Sequence, residues 1–385
     1  MKPGSRHRWG LRGSILAWKN ILAFHLLGNK PRSARGSKVA IFKLDRLGDF
    51  TLALGAIRAL IRRHGQGECV LFISPPAEEL ARREFPTEPR VVIPPFARDI
   101  GAAWPGLRSQ ASGGWWDHSF DLAVSLRHQR SPWQELLFSR LRCTKRVAIT
   151  NQPLSHHPSE QRWISTSLSK TRPAPILAGG STCLELEAHR QLLELVWDTE
   201  VRPQEVVPHL VRPVGLQPNG ALLLCPFGSA ELRTLPVTVI VAAIKEFRKS
   251  LPLPLRLAAA PTEVKRYTDY ADMLVAGGLP RPVIVTTPTL EALLCELAGS
   301  RVVLTTESAP AHLSVALDQP TVVLLGGGHH GMFGPWTRSQ QQVWLTHPMD
   351  CYHCDWQCCH PEPYCLTRIA PTAVAQALLK VAAEG

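Results

Sequence analysis

At 385 residues, the chain exceeds one ordinary hydrophobic core and suits two domains of roughly 150 to 200 residues each. Its 45% hydrophobic and 19% charged residues are typical of a globular protein and do not indicate long disordered tracts. The net charge of +12 is concentrated at the N-terminus, where the first 38 residues hold nine Lys and Arg and no Asp or Glu. The remainder is near neutral, which argues against a nucleic-acid-binding surface spread over the fold.

Residues 1–37 form a basic N-terminal extension around the apolar segment "GSILAWKNILAFHLLG". This segment is too short to span a bilayer, which needs about 20 apolar residues. Lys19 interrupts it, and no small-residue cleavage site follows, so it also makes a poor signal peptide. We interpret the extension as a peripheral anchor that meets an anionic membrane surface. The alternative is an extension that docks on the protein or is disordered.

The next unit, 38–213, begins with a strand-loop-helix pattern. An apolar strand around residues 39 to 44 enters the turn "DRLGD", and a helix follows that ends near Gly65. "ECVLFIS", "RVVIPP" and "FDLAVSL" are typical of further buried strands. Alternating strands and helices predict a parallel sheet covered on both faces, as in a Rossmann-like domain.

After a boundary near "RPVGLQPNG", residues 214–385 repeat the alternation of strands and helices and predict a second, independent α/β domain. Within it, "GGGHHG" has the spacing of a dinucleotide fingerprint. That fingerprint must open a helix. Because Pro335 and two aromatic residues follow this run, a helix there is implausible, and a dinucleotide-dependent oxidoreductase is disfavoured.

The segment 351–365, "CYHCDWQCCHPEPYC", holds five of the ten cysteines. Without a secretory signal, these thiols are expected to stay reduced or to bind metal. A tetrahedral zinc site is one interpretation, with Cys351, Cys354, Cys358 and Cys365 as ligands. Since a second CxxC is missing, buried thiols or an oxidisable cluster are the favoured alternative, and no metal is assigned.

Four segments in order resemble the successive motifs of the heptosyltransferase family, glycosyltransferase family 9. They are "KLDRLGDFTLALGAIRAL", "CPFGSAELRTLP", "TTESAPAHLSVALDQPTVVLLGGGHHGMFGPW" and "CYHCDWQCCHPEPYCLTRIAPTAVAQAL". The resemblance implies an α/β GT-B architecture, in which two Rossmann-like domains face each other across a cleft. It places the acceptor on the N-terminal domain and the sugar nucleotide on the C-terminal domain.

The resemblance also implies a catalytic residue. Asp49, after Gly48 at the strand-to-helix turn, stands where the family has the general base that deprotonates the acceptor hydroxyl. The alternative role is a helix N-cap, for which Asp is favoured on backbone grounds alone.

For the sugar-nucleotide donor, the resemblance assigns a diphosphate contact to Arg233 with a hydrogen bond from Ser229, and the ribose to Glu263. The family motif "DSGPAH" is "ESAPAH" here. In the family its helix start meets the diphosphate and its acid touches the sugar. The implied donor-binding residues are therefore Ser229, Arg233, Glu263, Glu307, Ser308, Ala309 and His312. Solvated surface roles for Arg233 and Glu263, and a packing role for His312, remain open.

Arg127 and Arg130, in the loop after a strand, are candidate contacts for an anionic acceptor, against the alternative of a basic surface loop. No DxD triplet occurs in the sequence, so we expect metal-independent transfer without a cofactor. The expected enzyme is an inverting glycosyltransferase, cytoplasmic and peripheral on the inner membrane, that transfers a heptose from ADP-heptose to a lipid-linked glycan such as the lipopolysaccharide core. The alternatives are a different nucleotide sugar, or a catalytically degenerate relative that only binds nucleotide or glycan.

Overall fold

The computed structural model describes residues 38–93, 118–127, 134, 137–138, 141–150, 170–173 and 184–384. The chain divides into two compact units, Met1–Arg46 with Ala56–Val206, and Leu47–Gly55 with Val207–Gly385. The first helix after the N-terminal strand is thus shared between them. The domain ranges 38–213 and 214–385 stay predictions.

The first unit is built on a six-stranded parallel sheet. Its strands are β1 (Lys38–Lys43), β2 (Cys69–Ile73), β3 (Arg90–Val92), β4 (Ser119–Ser125), β5 (Arg142–Thr150) and β6 (Lys170–Pro173). Their order in the sheet is β3-β2-β1-β4-β5-β6. The helices are α1 (Leu47–His64), α2 (Glu78–Glu84) and α3 (Glu185–Trp197). This strand order, with its reversal between β1 and β4, is that of the Rossmann fold.

Burial on both faces explains why the strands of this sheet are apolar along their length. Every residue from Cys69 to Ile73 is buried, as expected of a parallel strand covered on both sides. Phe42 and Phe72 stack with ring centroids 4.3 Å apart, and Phe120 packs edge-on against Phe72 at 6.2 Å. The aromatic rings pack together across the central strands β1, β2 and β4.

The second unit repeats the architecture. Its strands are β7 (Leu222–Cys225), β8 (Leu255–Ala259), β9 (Val283–Thr286), β10 (Val302–Thr306), β11 (Thr321–Leu324) and β12 (Gln342–Leu345), all parallel, in the order β12-β11-β10-β7-β8-β9. The helices are α4 (Val237–Ser250), α5 (Val264–Ala276), α6 (Leu290–Gly299), α7 (Ala309–Ala316), α8 (Tyr364–Thr367) and α9 (Pro371–Glu384).

The strand order of the second sheet reverses between β7 and β10. In open α/β sheets, ligands bind outside the carboxyl ends of the strands at such a reversal. The residues that follow Cys225 and Thr306 therefore lie where a ligand site is expected. The predicted α/β class with two Rossmann-like units is confirmed. In the part of the chain that the structure describes, no helix is both long and apolar enough to cross a membrane.

Candidate functional site

Helix α7 begins directly at the strand reversal of the second unit. Ser308 precedes it in extended conformation, and its hydroxyl donates to the carbonyl of Thr306 at 3.1 Å instead of capping the helix. Proline within the first turn sacrifices no hydrogen bond, because the first-turn N–H groups have no partner inside the helix. A helix start of this kind, at the carboxyl edge of a sheet, favours a phosphate or another anion.

Arg233 and Glu307 form an ion pair beside this helix start. Nη2 of Arg233 lies 2.7 Å from Oε1 of Glu307 and also donates to the Glu307 main-chain carbonyl. Nη1 of the same guanidinium donates to Ser229 Oγ at 2.9 Å. Gly228 makes room for the arginine, since a β-carbon there would come 2.6 Å from Arg233 Cβ. The structure thus brings together three of the predicted donor residues, with Arg233 and Glu307 as each other's partners.

Glu307 is charged despite its burial. It is 3% exposed, and burial by itself would raise the pKa of its carboxyl. The Arg233 guanidinium outweighs that effect, and with His312 it holds the pKa of Glu307 below its ordinary value. Oε2 of Glu307 and Nε of Arg233 are buried and have no hydrogen-bond partner in the described part of the chain. Each of these atoms retains hydrogen-bonding capacity for a ligand.

His312 is oriented from the opposite side by a tryptophan. The indole Nε1 of Trp336 donates to His312 Nδ1 at 3.1 Å, so in the neutral ring the proton is on Nε2. His312 Nε2 lies 3.5 Å from Glu307 Oε1. The histidine is 2% exposed. Its contacts place it against Glu307, and its predicted phosphate contact stays a prediction.

The glycine run after β11 lies against aromatic residues of the cysteine-rich segment. A β-carbon on Gly326 or Gly328 would come within 2.4 or 2.5 Å of the Trp356 indole, and one on Gly327 within 2.6 Å of Tyr352. His330 stacks on the same Tyr352 at 4.2 Å. The sequence "GGG" is therefore explained by close approach of rings to the backbone. Residues Gly327–His329 form a short 3-10 turn instead of the helix that a dinucleotide site requires.

Glu263 ends a 3-10 turn that directly follows β8, next to the strand reversal, and it is partly buried. Nearby, the Arg266 guanidinium lies 3.8 Å above the Phe227 ring. The position of Glu263 at a carboxyl strand end agrees with the expected ribose contact, which stays a prediction.

Gly48 and Asp49 belong to the stretch Leu47–Gly55 that groups with the second unit. A β-carbon on Gly48 would lie 3.1 Å from His312 Cδ2 and 3.3 Å from Ala309 Cα. The first turn of α1 therefore adjoins the start of α7. Asp49 is partly exposed in that first turn, and Arg46 occupies the N-cap position. The N-cap role considered for Asp49 is thus wrong by position.

In the first unit, Arg127 follows β4 and is 9% exposed. Its Nε lies 2.5 Å from Asp45 Oδ1, and Lys43 Nζ lies 3.0 Å from Asp45 Oδ2. Lys43 also donates to Glu185, the first residue of α3. Arg127 is therefore part of a buried charge cluster and not of a solvated loop. Arg130, the second predicted acceptor contact, lies outside the described residues.

This cluster depends on a pair that sequence reasoning missed. Burial by itself would raise the pKa of Glu185, but Lys43, together with His189, holds it far below its ordinary value. His189 Nε2 lies 3.4 Å from Glu185 Oε1 and 2.9 Å from the carbonyl of Leu126. One sign of this pair is visible in the sequence, a lysine at the end of the apolar strand "KVAIFK". Its partner Glu185 could not be recognised, because it lies 142 residues away.

The cysteines of the segment 351–365 that lie close together are not the four that the sequence suggested as zinc ligands. Among the described residues, the ligand atoms of Cys351, Cys359 and His360 all lie within 4.8 Å of one another. Burial, with the neighbouring Cys359 thiol, raises the pKa of Cys351 to about 11. The zinc set containing Cys354, Cys358 and Cys365 stays an untested alternative.

The family model of glycosyltransferase family 9 (heptosyltransferase) matches residues 275–364, which contain α7, the glycine run and Trp356. This part of the chain is similar to that family. The resemblance drawn from the four motifs is confirmed. The lipopolysaccharide heptosyltransferase 1 of Pseudomonas aeruginosa is 29% identical over 119 residues, covering 27% of this chain and 33% of that protein. The sequence match thus spans about a third of the length of this curated relative.

Solved structures extend the likeness to nearly the whole chain. A family 9 glycosyl transferase from Veillonella parvula covers 92% of this chain and 100% of its own, with a TM-score of 0.70 and 14% identity. The E. coli heptosyltransferase WaaC with ADP covers 89% and 99%, with a TM-score of 0.63 and 16% identity. The E. coli ADP-heptose lps heptosyltransferase II covers 90% and 99%, with a TM-score of 0.61 and 15% identity. At these identities the likeness concerns the fold, and it confirms the predicted GT-B class.

Proposed function

We propose that this family 9 relative is an inverting glycosyltransferase that transfers a heptose from ADP-heptose to a lipid-linked glycan. One observation carries the proposal: the Arg233–Glu307 pair, with Ser229, lies beside the helix start of α7 at a strand reversal. A helix start and a guanidinium suit a diphosphate, and a carboxylate suits sugar hydroxyls. The donors named for the E. coli neighbours support the choice of nucleotide sugar.

The proposed reaction forms one bond and breaks one. Asp49 takes the proton of the acceptor hydroxyl, and the oxygen attacks the anomeric carbon from the face opposite the diphosphate. The bond between that carbon and the diphosphate oxygen breaks, so the configuration inverts and ADP leaves. Arg233, Ser229 and the N–H groups at the start of α7 stabilise the negative charge that develops on the diphosphate. Glu307 orients the sugar, and Glu263 holds the ribose.

On the acceptor side, Arg127 is proposed to meet an anionic group of the glycan. Its guanidinium is held by Asp45, whose charge is in turn balanced by Lys43. The basic extension 1–37, outside the described residues, is proposed to bring the enzyme to the inner leaflet from the cytoplasmic side.

The donor is tested by measuring the melting temperature of the purified protein with ADP, UDP, GDP or CMP. A ligand that binds only the folded state raises the melting temperature with its occupancy. ADP is expected to stabilise the protein, and incubation with ADP-heptose and a deacylated acceptor glycan is expected to release ADP. Stabilisation by UDP or GDP alone would show that the donor is a different nucleotide sugar and would overturn the assignment of ADP-heptose. ADP binding without turnover would indicate the degenerate alternative, which Ala309 and Glu307, in place of the family Gly and Asp, motivate.

A further inference from the structure

We propose that Trp356, in the cysteine-rich segment, is a positioning residue for Arg233 in the donor site. This inference rests on the proposed function, because it concerns the guanidinium assigned to the diphosphate. The charged carbon of Arg233 lies 5.4 Å from the centre of the Trp356 ring. A cation at this distance is attracted by the ring quadrupole, and tryptophan gives the strongest such contact. Trp356 thus holds one side of a guanidinium whose other contacts are Glu307 and Ser229.

The Trp356 indole is itself fixed by a hydrogen-bond chain. Its Nε1 donates to His329 Nδ1 at 3.4 Å, and His329 Nε2 lies 2.8 Å from Asp355 Oδ1. With Nδ1 as acceptor, the neutral histidine carries its proton on Nε2 and donates it to the carboxylate. The residue preceding Trp356 in the chain therefore orients the ring through His329.

The Trp356 indole packs against the backbone of the glycine run. The absent β-carbon of Gly326 would be 2.4 Å from Trp356 Cη2, and that of Gly328 2.5 Å from its Cδ2 and Cε2. Distances under 3.0 Å are not tolerated between such atoms, and here the neighbour is a ring that other contacts already hold. The two glycines are thus required by Trp356, which links the glycine run to the placement of Arg233.

The backbone that carries Trp356 is in an unusual conformation. Asp355 has φ 49° and Trp356 φ 59°, in the left-handed region that bulky residues rarely adopt. The N–H of Asp355 donates to the carbonyl of Gly328 at 3.2 Å, and that of His353 to the carbonyl of Gly327 at 2.9 Å. Such strain persists only where surrounding contacts determine it, and it concentrates at functional sites. The strained turn directs the indole onto the glycine run and Arg233.

Trp356→Leu, Trp356→Phe and Arg233→Met, measured for ADP affinity by calorimetry, test the proposal. Trp356→Leu is expected to weaken ADP binding about 5- to 30-fold, which corresponds to about 1 to 2 kcal/mol. Trp356→Phe, which keeps a ring, is expected to recover most of that loss. In the Arg233→Met background, Trp356→Leu should have little further effect, because its target is gone. An equal loss in both backgrounds would overturn the proposal.

A second arm uses the glycine run. Gly326→Ala should weaken ADP binding as Trp356→Leu does, since the added methyl displaces the ring, and the double variant should be no worse than Trp356→Leu alone. Additive losses in the double variant would contradict the proposed link. Tyr364→Leu is the matched control, because Tyr364 also lies under a guanidinium, that of Arg368 at 3.8 Å, and it is expected to leave ADP affinity unchanged.

The nucleotide panel separates an error in the donor assignment from an error in the Arg233–Trp356 contact. If the wild-type protein binds none of the four nucleotides, the donor assignment fails. The contact between Arg233 and Trp356 is then tested by the melting temperatures of the same variants. Non-additive changes in melting temperature for Arg233→Met and Trp356→Leu support it, and strictly additive changes overturn it.

Discussion

Replacing Glu307 with Gln removes the charge from the buried partner of Arg233 while keeping the size of the side chain. The side chains of Arg233 and Glu307 are 12% and 4% exposed. Breaking a buried pair by removing one partner costs about 3 to 5 kcal/mol, because the other charge stays buried. Gln still accepts a hydrogen bond through Oε1, so we take the lower value, about 3 kcal/mol. For a unit of this size, each kcal/mol lowers the melting temperature by about 2 to 4 °C, which gives a decrease of about 6 to 12 °C at pH 7.

The pH dependence of this loss has a definite sign. The pKa of Glu307 is lowered in the folded protein because Arg233 outweighs the effect of burial. The pair therefore stabilises the fold fully above the ordinary carboxyl pKa of 4.5, and this contribution is lost as the pH falls through the folded-state value. The difference between wild type and Glu307→Gln should be constant from pH 6 to 8. It should begin to shrink below about pH 4.5, where the unfolded chain takes up the proton, and should be lost once the pH is low enough to neutralise the folded carboxyl as well.

Differential scanning calorimetry of both proteins across this pH range is the assay, with Glu246→Gln as the control. Glu246 pairs with Lys249 at 2.6 Å, but the two side chains are 50% and 70% exposed, so a shift under about 2 °C is expected. The double variant Arg233→Met, Glu307→Gln should recover part of the loss, since no charge is then left buried. If Glu307→Gln shifted the melting temperature no more than the control does, the reasoning from the buried ion pair would be refuted.

Three further outcomes are expected. Asp49→Asn should lower turnover by about 100- to 10,000-fold with ADP affinity unchanged in calorimetry; a similar loss in affinity would place Asp49 in binding instead of proton transfer. Lys43→Met should destabilise the first unit by about 3 to 5 kcal/mol, and adding Glu185→Gln should restore much of it, as followed by urea unfolding; further loss in the double variant would contradict the pairing. Turnover should be unchanged by EDTA, measured as ADP release, and a loss reversed by Mg²⁺ would overturn the metal-independent reaction.

The repeated alternation of apolar strands and helices is a local property, and it was sufficient to predict two Rossmann-like units. Strands such as "CVLFI" are buried on both faces, and this burial requires a continuous run of apolar residues. The rejection of a dinucleotide fingerprint at "GGGHHG" also needed only sequence, because Pro335 and the aromatic residues disfavour a helix. The motifs around Asp49, Arg233 and Glu307 marked the strand ends that the fold places at the reversal of each sheet.

Which side chains partner one another was decided by the tertiary structure. Lys43 and Glu185 are 142 residues apart, and Arg233 and Glu307 are 74 apart, so no periodicity links them. The spacing of the three glycines matches a dinucleotide fingerprint, whereas the structure explains them by the rings of Trp356 and Tyr352, which lie against the backbone. Sequence by itself determined the elements and the strand ends that bear polar residues, because these follow from local propensity and burial. Only the folded chain decided the ion pairs and ring contacts, since these depend on which distant segments the sheet brings together.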